Sequence, residues 1–187
     1  MVLAWVTPEP AASTNGQRPA QLAGTRATAL YLAPTKALAH DQLRNYRALG
    51  PQGWRITTLD GDSDAEERRF ARDFASCVLT NPDLLHRSVL PNHARWRSFL
   101  SGLTYVVVDE AHRYRGVFGA QVALVLRRLR RLCARYGSDP TFAVVSATAG
   151  DGTDAAAALL GEEPSAITPV VWDCAPHGER TTLLWRP

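Results

Sequence analysis

Two carboxylates stand side by side where an apolar run ends, in Tyr105-Val106-Val107-Val108-Asp109-Glu110-Ala111-His112. A buried strand carrying such a pair projects its acids beyond the sheet edge. There Asp109 is placed to hold a Mg²⁺ ion that bridges terminal phosphates, and Glu110 to orient or deprotonate the attacking water. Phosphoanhydride hydrolysis needs both acids, one to position the metal and one to handle the nucleophile. A strand that merely ends in solvated acids is the plainer reading, and the neighbouring motifs decide against it. Ser146-Ala147-Thr148 closes another apolar run. Pro34-Thr35-Lys36 forms a strand-to-helix turn, where free helix amides and a lysine suit a phosphate backbone. Thr80-Asn81-Pro82-Asp83 is a second such turn, with Pro82 at a first helical position.

The elements that must position these residues follow from periodicity. Short apolar runs at 29–33, 55–59, 77–79, 105–108 and 142–145 predict strands buried on both faces. Helices are expected between them, over 40–49, from a Ser63 cap with Glu66 completing a capping box through Ala75, and over 119–136. In the last, Val122, Val125, Leu126, Leu129, Leu132 and Tyr136 form one stripe, and five arginines occupy the remaining surface as a solvated face. Gly137 is its natural stop. Strict alternation of strand and helix means a mostly parallel α/β sheet, whose ligands sit beyond the carboxyl ends of the strands. Trp96 and Phe99 are expected to pack inside rather than stack on bases.

Composition bounds the setting. With 45% hydrophobic and 21% charged residues the chain reads as globular rather than disordered. Lys36 is the one lysine among 21 basic residues. Cys77, Cys133 and Cys174 form no close pair, so neither zinc nor a disulfide framework is indicated, and a reduced, cytoplasmic setting is expected. No segment approaches a membrane span or a signal peptide. Residues 1–25, rich in Pro, Ala, Gly and Gln beyond the first six, read as a disordered leader or linker, and 26–187 as one domain.

The motifs together resemble those of the DEAD/DEAH-box superfamily 2 helicases. An apolar strand before Asp109-Glu110-Ala111-His112 has the Walker-B form and looks like their motif II. Ser146, Ala147 and Thr148 match motif III, Pro34, Thr35 and Lys36 motif Ia, and Thr80, Asn81, Pro82 and Asp83 motif Ib. Tyr114-Arg115-Gly116-Val117-Phe118-Gly119 is similar to the bacterial subgroup linked to DNA repair. The resemblance spans about residues 27 to 186. It implies a three-layer RecA-like P-loop NTPase domain, the first motor domain of an ATP-dependent DNA helicase using ATP and Mg²⁺. It also implies Glu110 as catalytic base, Asp109 as the Mg²⁺ carboxylate, and His112 with Ser146 and Thr148 as coupling residues. Thr35, Lys36, Gly61, Asp62, Thr80 and Asn81 would grip single-stranded or unwinding duplex DNA, and a second RecA-like domain would complete the motor.

One family motif is missing. The sequence contains no Gly-Lys pair, so no G-x-x-x-x-G-K-[ST] loop precedes motif Ia. The fold is therefore expected to be incomplete at the P-loop strand, with Met1 to Val6 the candidate to fill that gap. The chain alone is expected to hydrolyse ATP poorly. The alternative is a catalytically dead nucleic-acid-binding or vestigial module.

Overall fold

In chain order the strands are β1 (Val2–Val6), β2 (Thr28–Leu32), β3 (Ile56–Thr58), β4 (Cys77–Thr80), β5 (Leu103–Val108), β6 (Thr141–Ser146) and β7 (Ile167–Val170). The helices are α1 (Lys36–Leu49), α2 (Ala65–Asp73), α3 (Pro82–Leu84), α4 (Arg97–Ser101), α5 (Gly116–Arg135) and α6 (Gly152–Leu160). The computed structural model describes residues 2–6, 26–49, 53–147 and 152–170, with 178, 183 and 185 as isolated positions.

The strands form one sheet of order β3-β4-β2-β5-β6-β1-β7. From β3 to β6 every pairing is parallel, which the helical connections require. Alternation along β2 sorts its side chains between two layers. Leu30 and Leu32 enter the larger core with Val78, Val106, Val108, Phe142 and Val144, beneath α2, α4, α5 and α6. Tyr31 and Ala33 face the other way, packing with Ile56 and Leu79 against Ala39 and Leu43 of α1. The three-layer α/β expectation holds. Trp96 and Phe99 are core residues, meeting edge-on with ring centroids 5.7 Å apart.

Residues 2–6 do not belong to a structureless leader. They pair antiparallel with β6, Val2 opposite Ser146 and Val6 opposite Phe142, and antiparallel with β7 on the other side. The physical reason is plain: VLAWV is an apolar, strand-prone run, and the open side of β6 offers unpaired backbone groups. Residues 7–25 lie outside the described residues. Because β1 runs against β6, its last residue sits at the amino end of the parallel strands.

Three helix starts differ from expectation: α1 begins at Lys36 rather than at residue 40, and α2 and α5 differ for local reasons. The cap of α2 is Asp64, not Ser63. Asp64 accepts from the Glu67 amide at 2.8 Å while Glu67 returns a carboxylate oxygen to the Asp64 amide at 2.9 Å. Ser63 is engaged elsewhere, its hydroxyl accepting from the Asp60 amide at 3.0 Å. Helix α5 begins at Gly116, and its first turn lies against the preceding segment at Gly119. A Cβ there would sit 2.3 Å from the Tyr114 carbonyl oxygen, so only glycine fits. The stripe buries Val122, Val125, Leu126 and Leu129 as expected. Part of the arginine face is structural: Arg130 pairs with Glu162 beyond α6.

Candidate functional site

The carboxyl ends of β3, β4, β2, β5 and β6 line up along one sheet edge, and nearly every candidate residue stands on it. Asp109 follows β5 directly, and its amide still donates to the Leu32 carbonyl of β2 at 2.9 Å. Its carboxylate is buried. Oδ1 accepts the Glu110 amide at 2.8 Å, and Oδ2 accepts the hydroxyl of Tyr31 from the neighbouring strand. Each oxygen keeps a further lone pair. Burial first, then the hydrogen bond to Asp109 and its charge, holds the Tyr31 phenol far above its ordinary range, so it remains a donor. Tyr31 in turn meets Tyr46 of α1 edge-on at 5.8 Å.

Glu110 adopts a left-handed backbone conformation, φ 51° and ψ 42°, alone among the described non-glycine residues. Such a conformation costs on the order of 1 kcal/mol, and the Asp109 carboxylate bonding its amide offsets that. The turn swings the chain off the strand into a short 3₁₀ segment, Ala111–Arg113. His112 thereby returns toward Glu110, its Nδ1 3.2 Å from Glu110 Oε2. Tyr114 is buried close by, and burial with the charges of Asp109 and Glu110 raises its phenol, Arg113 partly opposing.

Ser146 and Ala147 end β6 beside this pair, Ser146 half-buried and Ala147 exposed. Thr148 lies outside the described residues. No group of three or more His, Cys, Asp or Glu side chains among the described residues forms a metal-holding cluster. The donors present fit Mg²⁺ in its usual manner, one or two carboxylates with phosphates and water completing the shell.

The other half of the edge is built differently. Pro34 and Thr35 precede α1, and the Thr35 hydroxyl accepts from the Leu38 amide at 3.3 Å. Lys36 is the first residue of α1 and pairs with Asp62, with Asp60 Oδ2 3.7 Å away. His40 Nε2 stands 2.8 Å from the same Asp60 oxygen. Burial alone would raise the Asp60 carboxyl. Its hydrogen bonds with His40 and the Asp62 amide, together with the Lys36 charge, outweigh that and hold it below the ordinary value. Gly61 and Asp62 are exposed at the tip of this turn.

Thr80 is buried, its hydroxyl donating to the Leu59 carbonyl at 2.7 Å, so it shapes the turn from inside. Asn81 caps α3 by accepting the Leu84 amide at 2.8 Å, Pro82 is buried, and exposed Asp83 pairs with Arg87 at 2.9 Å. Sequence reasoning missed Tyr31, His40 and Asp60. The signal for Tyr31 was a phenol inside an apolar run beside the acid-bearing strand, since a buried hydroxyl needs a partner. Cys77 and Cys133 are free, and burial pushes both thiols up to about 11, which disfavours the nucleophilic thiolate.

Comparison with known proteins adds three findings. Residues 17–156 match the DEAD/DEAH box helicase family. The chain is 41% identical over 162 residues to the uncharacterized ATP-dependent helicase YprA of Bacillus subtilis (strain 168), covering 85% of this chain and 21% of that protein. It is 41% identical over 167 residues to the ATP-dependent helicase HRQ1 of Saccharomyces cerevisiae, covering 86% and 15%. Among solved structures it resembles the DUF1998 helicase MrfA bound to DNA, with TM-score 0.70 and 43% identity over 75% of this chain and 19% of that one. The chain thus spans about a fifth or less of the length of these relatives.

Proposed function

This chain belongs to the DEAD/DEAH box helicase family, and we propose that it is the motif-bearing part of a first motor domain from an ATP-dependent DNA helicase. The observation that carries the reading is the shared carboxyl edge. The acid pair on β5 and the end of β6 form one half, and the turns after β2, β3 and β4 form the other. Hydrolysis and strand contact would then be neighbours on one rigid sheet. The DNA-bound MrfA structure, with its similar sheet, supports a nucleic acid as partner.

In this reading Glu110 orients and deprotonates the attacking water, and Asp109, fixed by Tyr31 and the Glu110 amide, is the metal carboxylate. His112, within reach of Glu110, links the acid turn to β6. Bound Mg²⁺ would neutralise charge developing on the transferred phosphoryl group. Pro34, Thr35 and Lys36 present the start of α1 to a single-stranded backbone, beside Gly61, Asp62, Asn81 and Asp83, with Thr80 shaping the turn. A second RecA-like domain supplies the opposing face of the nucleotide site.

A chimera tests this directly. Residues 26–147 of this chain would replace the aligned segment of the Bacillus subtilis relative. The expected result is ATP hydrolysis stimulated by single-stranded DNA and lost with Glu110→Gln. A folded chimera whose hydrolysis survives that substitution would refute the assignment.

A second reading, a nucleic-acid-binding module without catalysis, is favoured by the direction of β1. Where the family carries a phosphate-binding loop, that loop must follow a strand ending at the carboxyl edge. Strand β1 ends at the opposite edge, so for the chain as it stands we expect no useful turnover. Single-turnover hydrolysis by this chain, abolished by Glu110→Gln, would exclude the second reading.

A further inference from the structure

We propose that Asp62 sets the affinity of the strand-gripping edge, its carboxylate occupying Lys36 as an internal stand-in for a nucleic-acid phosphate that must displace it to bind. The proposal rests on the reading of this edge as a single-strand contact and adds a competitor built into the fold.

The geometry of the turn makes Asp62 a presented group rather than a floating one. The Asp60 amide donates to the Ser63 hydroxyl at 3.0 Å, and the Asp62 amide donates to Asp60 Oδ1 at 2.9 Å. From outside, the Arg68 guanidinium braces the turn through the carbonyls of Ser63 at 2.9 Å and Asp60 at 3.0 Å. The turn therefore delivers Asp62 to Lys36 without ordering a long loop.

The two carboxylates near Lys36 play different parts. The Asp60 side chain is largely buried, 11% exposed, and bonded to His40, so it stays when a ligand arrives. The Asp62 side chain is 82% exposed and can swing away. Helix α1 has no acid in its own first turn, so Asp62, from the neighbouring turn, supplies the negative charge its amino end attracts. Two carboxylates stand beside the Lys36 ammonium, and an approaching phosphate reaches it only once Asp62 leaves. An exposed ion pair is weak, so the competitor lowers affinity by a factor of a few and does not block the site.

The test uses this chain and fluorescence anisotropy of a labelled oligothymidylate. Wild type, Asp62→Asn, Asp62→Ala, Lys36→Met and the double variant Lys36→Met/Asp62→Asn are compared over a range of salt, after thermal melts confirm folding. Both Asp62 variants are expected to tighten binding by roughly two- to fivefold at low salt. In the double variant the gain disappears.

Salt provides a second readout that a structural role would not move. In the wild type a phosphate reaching Lys36 replaces Asp62 and releases less counterion. Without Asp62 the logarithmic salt dependence should steepen by up to about 0.7 for that one contact. Weaker binding with Lys36→Met, but unchanged or weaker binding with both Asp62 variants, would overturn the competitor and leave the grip standing. No binding by any variant, or binding indifferent to Lys36, would overturn the grip reading and the competitor with it.

Discussion

On the β5 side of the sheet edge the acid is held from within the fold, whereas on the β2 and β3 side exposed charges largely hold one another. Asp109 is buried, bonded by a phenol from the next strand and by the amide that follows it. Lys36 and Asp62 meet in solvent, and only Asp60 of that cluster is largely buried. The difference teaches where each half has its tolerance. On the proposed function, a group that meets a metal and a phosphoryl group needs a fixed position, which burial and backbone bonds provide. A group that must take and release a moving strand needs a weak, exchangeable partner. One edge therefore combines a rigid half with a yielding one.

The contrast can be broken most forcefully at Glu110. In the chimera, Glu110→Gln should lower the hydrolytic rate roughly a hundredfold or more, the usual loss when a general base is removed. Strand affinity should remain, because Glu110 lies on the rigid half, and steady-state kinetics with anisotropy on the same preparation separate the two.

Next in size is Tyr31→Phe, which strips the buried Asp109 carboxylate of a donor. Urea unfolding should show a loss of about 1–3 kcal/mol, the cost of a buried acceptor left with one bond fewer. A variant as stable as wild type would mean that Asp109 is held from elsewhere.

Alkaline pH sharpens the same point. Burial, with Asp109 contributing, raises the phenols of Tyr31, Tyr46 and Tyr114 above their ordinary 10.0 in the folded chain. Unfolded, they titrate near 10.0. Below that pH the phenols are protonated in both states and their contribution is fully present. As pH rises beyond it the unfolded chain loses protons first, and stability falls. Unfolding free energy should therefore decline above pH 10, and less steeply in Tyr31→Phe.

The smallest effect belongs to the yielding half. Lys36→Met should lower the melting temperature only slightly, through the lost charge beside Asp60, while weakening strand binding, since its side chain is half-solvated and its pair with Asp62 exposed. A clear drop in melting temperature would place Lys36 among the structural residues and erase the contrast.

Much of this edge was legible in the amino-acid order because parallel strands deliver their last residues to one side. Asp109, Ser146, Asn81 and Lys36 follow apolar runs, and the sheet brings those ends together. Helix α5 was legible through its stripe, which three-residue and four-residue spacing writes directly into the sequence. What escaped depends on which strands become neighbours. Tyr31 reaches Asp109 because β2 and β5 are adjacent, though far apart in the chain. The Asp60–His40 contact likewise joins a turn to a helix from another unit. The cap of α2 fell one residue late because Ser63 and Asp64 are both able to cap, and only the Asp60 turn decides which is free to do so.

Strand β1 also has a consequence for how the chain acquires its fold. Among the described strands it comes first in sequence, yet its partners are β6 and β7, the last of them. Its pairings are among the most distant in sequence, and contacts of that kind close late because the whole intervening chain must first be brought to order. The parallel block from β3 to β6 can collapse around α5 while β1 waits, an apolar segment with no strand yet available to receive it. Refolding chains would be most prone to sticking together during that interval, and shielding of short apolar segments would matter most then.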